Sequence, residues 1–384
     1  MIGLYVHVPF CTTRCSYCDF YLVPARGRDL DALARALRAE IAAVAPPLRG
    51  RAADTIHLGG GTPSIVPPAI VEIILAALRG TFSVAPGAEV ALEANPEDLD
   101  RERCRDLVGL GVNRIVVGVQ TLDDELLKRL RRTHTARRAL QAVVAARASG
   151  ARSVGADLIL GIPGQGRGET LGAIERLVDG GVDHLSLYLL EIHARTRLGR
   201  AAALGHIALP DEDEVAALYE AAADRLAALG FEHYEISNFA RPGYRSRHNL
   251  KYWTDQEYLG FGPSAHSYAE GRRWFNAPDL AAYLARGGAG CARIEEAPSR
   301  VGRGAEALLA GLRITEGVDL LALRGRYGGS VPAPDDGAIA LLEGAGLVDR
   351  LGSRLRLTRR GRLVSNEVLE RLLPGTSGLT AGVN

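Results

Sequence analysis

Cysteine is scarce, with five residues in 384, and a chain of this length with so few thiols does not read as a disulfide framework. Lysine is nearly missing. Lys128 and Lys251 stand against 44 arginines, a coding bias that no chemistry requires. Neither sign of charge is in excess: the formal net charge is +1, which argues against a dedicated nucleic-acid or membrane surface. The longest basic run, Lys128 to Arg138, reads as a solvated helix edge. No apolar run approaches the ~18–20 residues of a membrane span. The N-terminus lacks the basic and long apolar stretches of a secretory signal, so a reduced, cytoplasmic setting is expected. No low-complexity segment and no repeat beyond strand–helix alternation is present. With 47% apolar residues, the chain suffices for one large domain plus a smaller one.

Three of the five cysteines sit together in LYVHVPFCTTRCSYCDFY, where Cys11, Cys15 and Cys18 are spaced C-x3-C-x2-C. Leu4 to Val8 reads as a short buried strand closed by Pro9, so the thiols lie on the loop that follows it. A zinc site built from four cysteines lacks its fourth ligand. Iron–sulfur clusters are held by thiolates, usually four. A [4Fe–4S] cube on three of them keeps one iron open, as a reactive cluster needs. The bland alternative is a group of packed or redox-active thiols, shielded by Tyr5, Tyr17, Phe20 and Tyr21.

The rest of the first half alternates strand and helix. Strands are expected at Thr55–Leu58, Glu89–Glu93, Arg114–Val119, Ser153–Leu160 and His184–Leu189, with amphipathic helices between them. Six βα units imply a parallel sheet with right-handed crossovers. Six are too few for a closed eight-fold barrel, so the expected fold is α/β, a partial (β/α)6 barrel with an open mouth. Cys11, Gly59 to Thr62, Glu93 and Gln120 fall at or just after strand C-termini, and Asp157 lies within the fifth strand; in parallel barrels that rim carries the chemistry. Later comes RHNLKYWTDQEYLGFGPSAHSY, rich in aromatics and histidine, with a short strand expected at Glu232–Ile236 before it. From about Val301 the pattern becomes helix–helix–helix and a short strand pair, like a winged helix. The expected divisions are 1–210 (barrel), 211–298 (barrel-closing region), 299–373 (C-terminal domain) and 374–384 (disordered tail).

The cysteine spacing resembles that of the radical S-adenosylmethionine (SAM) enzymes. The form H-x-P-F-C-x3-C-x2-C-D-F is similar to the oxygen-independent coproporphyrinogen oxidase group, which has an oxidase branch and a haem-chaperone branch. The resemblance implies a radical SAM fold and a [4Fe–4S] cluster on Cys11, Cys15 and Cys18, with SAM on the free iron. It further implies that a reduced cluster can cleave SAM to methionine and a 5′-deoxyadenosyl radical. Matched to the family's motifs, the SAM contacts are Tyr5, Tyr17, Gly60, Gly61 and Thr62 of GGGTP, Glu93 of E-x-N-P, Gln120 of G-V-Q, Arg132 and Asp157.

Three features point to the chaperone branch. Phe20 stands where the oxidase has a fourth cysteine, the oxidase's longer leading segment is missing before Cys11, and His248-Asn249-Leu250-Lys251-Tyr252-Trp253 matches an H-N-x-x-Y-W motif linked to haem. That places haem at His248, Asn249, Tyr252 and Trp253, with histidine the common axial donor; packing of the same stretch on the barrel mouth is the simpler alternative. Haem and haem-receiving, membrane-associated proteins are the implied partners, a homodimer stays open, and nucleic acid is not expected. The other reading is an enzyme acting on a tetrapyrrole, such as oxidative decarboxylation of coproporphyrinogen III.

Overall fold

In the computed structural model, which describes residues 1–44, 46–296, 302–331 and 336–373, apolar and polar side chains alternate along the early strands. The six expected strands form: β1 (Ile2–Val8), β2 (Ala52–Gly60), β3 (Ser83–Ala94), β4 (Arg114–Gln120), β5 (Ser153–Leu160) and β6 (His184–Leu189). They pair in that order, and every pairing is parallel. Leu4, Val6, Ile56, Leu58, Leu92, Ile115, Val117 and Val154 point to one face and are fully buried. Each such side chain contributes roughly 1.5–3 kcal/mol. The other face is polar: Tyr5, His7, Thr55, His57, Glu89, Glu93, Arg114 and Asp157 occupy the alternate positions.

The crossovers are helical: α1 (Leu30–Ala42), α2 (Pro68–Thr81), α3 (Arg101–Gly109), α4 (Asp124–Arg129), α5 (Ala136–Ala148) and α6 (Arg167–Asp179). Their starts follow from side-chain caps. Asp29 accepts the Ala32 N–H at 2.8 Å, Asp100 the Arg103 N–H at 2.8 Å and Thr135 the Arg138 N–H at 3.3 Å. Each satisfies an N–H that the helix itself leaves over. Two further helices, α7 (Arg197–Ala203) and α8 (Glu212–Ala228), follow β6, and α9 (Arg247–Trp253) carries most of the aromatic motif.

The sheet continues past six strands on both sides. The later strands are β7 (Glu232–His233), β8 (Asn238–Ala240), β9 (Tyr258–Phe261), β10 (His266–Ala269), β11 (Arg272–Asn276) and β12 (Arg293–Glu295). Among the described residues the order is β12-β11-β10-β9-β1-β2-β3-β4-β5-β6-β8-β7. Thus β9 is a seventh parallel strand, with Leu259 opposite Leu4 and Gly260 opposite Tyr5, and β10 to β12 extend that edge antiparallel. The two ends of this order do not pair, so the barrel is open as expected. A buried carboxylate ties the added edge to α1: Glu40 accepts from the Gly262 N–H (2.8 Å), Asn276 Nδ2 (2.7 Å) and the Tyr283 hydroxyl (2.7 Å). Burial pushes the Glu40 carboxyl up.

The chain divides into two compact units. One holds residues 1–232, 239–248 and 257–295; the other holds 233–238, 249–256 and the described residues from 296 onward. The second unit has a three-stranded antiparallel sheet of Val318–Asp319, Arg354–Leu357 and Val348–Leu351. The helices Arg303–Gly311, Leu320–Tyr327, Asp336–Gly344 and Ser365–Leu372 share its core with Leu308, Leu312, Leu342, Leu355 and Leu369 buried. The expected boundary at 298/299 and the tail 374–384 lie outside the described residues. Among the described residues no helix is long and apolar enough to cross a membrane.

Candidate cofactor site

The cysteine loop is closed at its base by a short parallel pair, Phe10–Cys11 with Val23–Pro24. There the Val23 N–H donates to Pro9 O (2.7 Å) and the Ala25 N–H to Cys11 O (2.9 Å). Ser16 anchors its middle: the Ser16 N–H donates to Leu130 O (3.0 Å), its hydroxyl to Arg129 O (2.9 Å), and its carbonyl accepts the Leu198 N–H (2.9 Å). Arg195 forms an ion pair with Asp19. The loop therefore leaves β1 with a set path, and Phe20 on it is 61% exposed.

All five cysteines are free thiols. Cys104 is buried in α3, and Cys291 donates to Asn276 Oδ1 at 3.3 Å, so the donor set on the loop is three. Among the described residues no three His, Cys, Asp or Glu converge on one metal ion. A four-iron cube asks for another arrangement, one thiolate for each of three irons, and the loop fits that demand. Burial pushes the Cys11 thiol up to about 11, against the lowering effect of Thr62, so ligation must displace a proton.

Two of the thiols are joined through the strand ends. Cys11 Sγ lies 3.2 Å from Thr62 Oγ1, and Thr62 Oγ1 accepts from Asn95 Nδ2 at 3.3 Å. Asn95 Oδ1 in turn accepts from Arg132 Nη2 at 2.6 Å, and Arg132 Nη1 reaches Cys15 Sγ at 3.5 Å. Arg132 also donates to Gly118 O at 2.9 Å. A hydroxyl and a guanidinium thus face sulfur, as suits thiolates under an anionic cluster. Gly60 has φ +105°, and a Cβ there would stand 2.6 Å from the His7 ring. The Gly61 N–H donates to Val8 O at 2.8 Å, which holds the GGGTP turn against the end of β1.

Beside this network lie the acids. Glu93 Oε1 accepts from His57 Nε2 at 2.8 Å, and the Glu93 side chain is 40% exposed. Asp157 Oδ1 is buried without a hydrogen-bond partner. Burial pushes the Asp157 carboxyl up to about 7, with Ser186 lowering it and Glu93 raising it. An orphaned acceptor of this kind fits a ligand that brings donors, such as a ribose. Gln120 ends β4 with φ +67°, a strained conformation for a side-chain-bearing residue and one that clusters at functional sites. Tyr17 packs with Leu126, Leu130, Ile159 and Ile162. Tyr5 donates its hydroxyl toward His7 Nδ1 (3.0 Å), and the other His7 nitrogen meets Tyr21 O (3.1 Å). The structure thus brings Tyr5, Tyr17, Gly60, Gly61, Thr62, Glu93, Gln120, Arg132 and Asp157 to one end of the polar face, with the cysteine loop over it.

The aromatic motif is placed differently. His248 is 1% exposed. Its Nδ1 is 2.9 Å from Thr55 Oγ1, and its ring stacks on His57 at 5.0 Å and 22°. Its N–H, and that of Arg247, donate to Glu89 at 3.0 and 3.2 Å. Glu89 pairs with Arg114 at 3.0 Å, and Arg114 Nη2 donates to Tyr244 O and Arg245 O. Asn249, Tyr252 and Trp253 group with the second unit, where Arg313 lies over the Trp253 ring at 5.3 Å. His248 packs against the polar face of the sheet.

Sequence reasoning passed over Asn95 and His57. Asn95 stood within the quoted E-x-N-P without a role. His57 was marked by period two: Thr55, His57 and Gly59 share the face that Tyr5 and His7 define on β1.

Fold and site together define a radical SAM protein. The chain matches the Radical SAM superfamily over residues 5–177 and the HemN C-terminal domain over 302–364. It is 39% identical to Heme chaperone HemW of Mycobacterium tuberculosis over 97% of this chain and 94% of that protein, and 31% identical to Heme chaperone HemW of Bacillus subtilis over 97% and 99%. The mitochondrial Radical S-adenosyl methionine domain-containing protein 1 of Bos taurus is 40% identical over 69% of this chain and 60% of its own length. The coproporphyrinogen III oxidase HemN of Escherichia coli shares the fold, with a TM-score of 0.83 at 24% identity over 97% of this chain and 89% of that one. The chain belongs to the HemW family within the radical SAM superfamily, and its Radical SAM domain implies SAM and a [4Fe–4S] cluster.

Proposed function

We propose that the protein holds a [4Fe–4S] cluster on Cys11, Cys15 and Cys18, binds SAM at the iron left open, and serves as a chaperone that carries haem to haemoproteins. The observation behind the first part is the hydrogen-bonded path from Cys11 through Thr62, Asn95 and Arg132 to Cys15. When bound, cluster and SAM supply one-electron chemistry beyond the reach of side chains. The protein's own residues bind and orient. Arg132 brings a cation for a carboxylate, Glu93 and Asp157 bring acceptors for an amine or ribose, Tyr17 and its apolar neighbours exclude water, and the Gly60-Gly61 turn admits close backbone approach. Loss of iron and of the cluster absorption in Cys11→Ala is the expected result; retention of both contradicts the assignment.

The haem reading rests on near-full-length likeness to relatives named haem chaperone and on Phe20 in place of a fourth cysteine. His248, Asn249, Tyr252 and Trp253 are its proposed contacts. Axial ligation by His248, 1% exposed and bonded through Nδ1 to Thr55, would fall to Nε2 and requires haem to reach a buried ring. A haem titration of anaerobically reconstituted protein, wild type beside His248→Ala, tests this. Saturable one-to-one binding that weakens in the variant supports both carrier and ligand. Equal binding by the two proteins moves the contact off His248, and no specific binding by wild type removes the chaperone reading. Vinyl product from coproporphyrinogen III with SAM and reductant would favour the enzyme instead.

A further inference from the structure

Glu93 is the most exposed acid of the proposed SAM site, and one neighbour fixes it. His57 Nε2 donates to Glu93 Oε1 at 2.8 Å. Among the described residues Glu93 Oε2 takes no hydrogen bond, so one oxygen is held and the other stays open. A Cβ on Gly59 would stand 2.9 Å from Glu93 Oε1, so the backbone of β2 backs the carboxylate closely.

The histidine is itself clamped. Its ring packs against those of Tyr5 (6.0 Å, 29°) and His248 (5.0 Å, 22°), which also meet each other at 6.4 Å, so the three rings form a closed triangle. His248 is fixed by Thr55 and by the Glu89 carboxylate, and Tyr5 by His7. His57 Nδ1 is buried and has no hydrogen-bond partner. A hydrogen there would sit without an acceptor, at a cost of about 1–3 kcal/mol. The nitrogen with an acceptor is Nε2, which therefore carries the hydrogen that is donated to Glu93. Turning the ring would break its packing on Tyr5 and His248, and moving the hydrogen to Nδ1 would lose the bond to Glu93.

We propose that His57 is a positioning residue of the SAM site: it donates its Nε2–H to Glu93 Oε1 and so turns Glu93 Oε2 toward the polar groups of the ligand. This rests on the reading of Glu93 as a SAM contact. The same geometry gives the buried motif histidine, His248, a place in the chain of support as one of the two rings packed on His57.

The test uses the full chain, anaerobically reconstituted, with SAM as the probe. Iron content, the SAM dissociation constant and the SAM-induced change in the electron paramagnetic resonance of the reduced cluster are measured. The proteins are wild type, His57→Phe, His57→Gln, Glu93→Ala and the double variant His57→Phe/Glu93→Ala. Phe keeps the stack and loses the donor; Gln keeps a donor. With iron content equal to wild type, His57→Phe should weaken SAM roughly tenfold, as loss of a hydrogen bond to a charged group does, and His57→Gln should stay within about threefold of wild type. Glu93→Ala should weaken SAM at least as much as His57→Phe, and the double variant no further, because His57 acts only through Glu93. Wild-type affinity in His57→Phe with a weakened Glu93→Ala overturns the proposal and spares the role of Glu93. Wild-type affinity in Glu93→Ala overturns both. Equal weakening in His57→Phe and His57→Gln at full iron content shows that the ring matters for packing, and overturns the proposal. If His57→Phe fails to hold iron, His57→Gln decides alone: wild-type affinity supports donation, and weak binding refutes it.

Discussion

Glu89 and Glu93 lie four residues apart on one strand and one face. At the lower end, Glu89 faces Arg114 at 3.0 Å, takes the N–H groups of Arg247 and His248, and is only 7% exposed. At the upper end, Glu93 takes one hydrogen bond, from His57, and is 40% exposed, while nearby Asp157 keeps a buried oxygen unpaired. The lower acid spends its hydrogen-bonding capacity on the protein, which pins the segment 244–248 across the strands. The upper acids keep capacity in reserve. In parallel α/β barrels the N-terminal end of the strands serves stability and the C-terminal end serves chemistry, and here one residue type makes that division within a single strand.

The sharpest break of this contrast comes from the cysteine loop at the upper end. Cys11→Ala should remove the cluster entirely, with iron and sulfide content falling to background, while the fold's circular dichroism remains. At the lower end the cost should appear as stability. Glu89→Gln leaves the Arg114 guanidinium buried without its anion, and breaking a buried pair costs about 3–5 kcal/mol. Urea unfolding of the apo protein should show this, with SAM affinity of the reconstituted protein near wild type; a weakened SAM site at unchanged stability would reverse the assignment of the two ends.

Asp157 sharpens the contrast from above. Folded, its carboxyl keeps its proton up to about 7, whereas the unfolded group loses it near 3.8. The folded state thus binds more protons between those values, and stability falls as pH rises through that window. In Asp157→Asn the apo protein should match wild type below 3.8 and be the more stable above about 7, while SAM binding weakens. For wild type, SAM affinity should rise with pH through the same window, because donors prefer the carboxylate; a flat profile would take Asp157 out of the site. The smallest effect is expected from Cys291→Ala. Its thiol serves Asn276 and Glu40 at the added sheet edge, so iron content should stay at the wild-type value.

How much of this was legible in the sequence depended on how local the signal was. Ser153–Leu160 and His184–Leu189 form as expected, because each is an apolar run bounded by helices and turns. The expected strand Glu232–Ile236 shrinks to Glu232–His233. Tyr258–Phe261 was not legible as a strand. It is four residues long, contains Gly260, and gains its place from β1, whose partner residues lie more than 250 positions earlier. The cysteine spacing marked the loop outright. The strand-end acids, glutamine and arginine were legible through their order along the chain, but what joins them, Asn95 and His57, emerges from side chains of different strands meeting. For the same reason the sequence presented His248 only as part of an aromatic motif linked to haem or packed on the barrel mouth, whereas its contacts in the fold include Thr55, His57 and Glu89, far earlier in the chain.

The central claim is that three thiolates on one loop hold a cube whose remaining iron is reserved for SAM. The most direct measurement is the electron paramagnetic resonance spectrum of the reconstituted, dithionite-reduced protein with and without SAM, alongside iron analysis. The account predicts about four irons per chain, as a [4Fe–4S] cube requires, and a spectrum that changes saturably as SAM is added. A fully loaded cluster whose spectrum does not respond to SAM would contradict it.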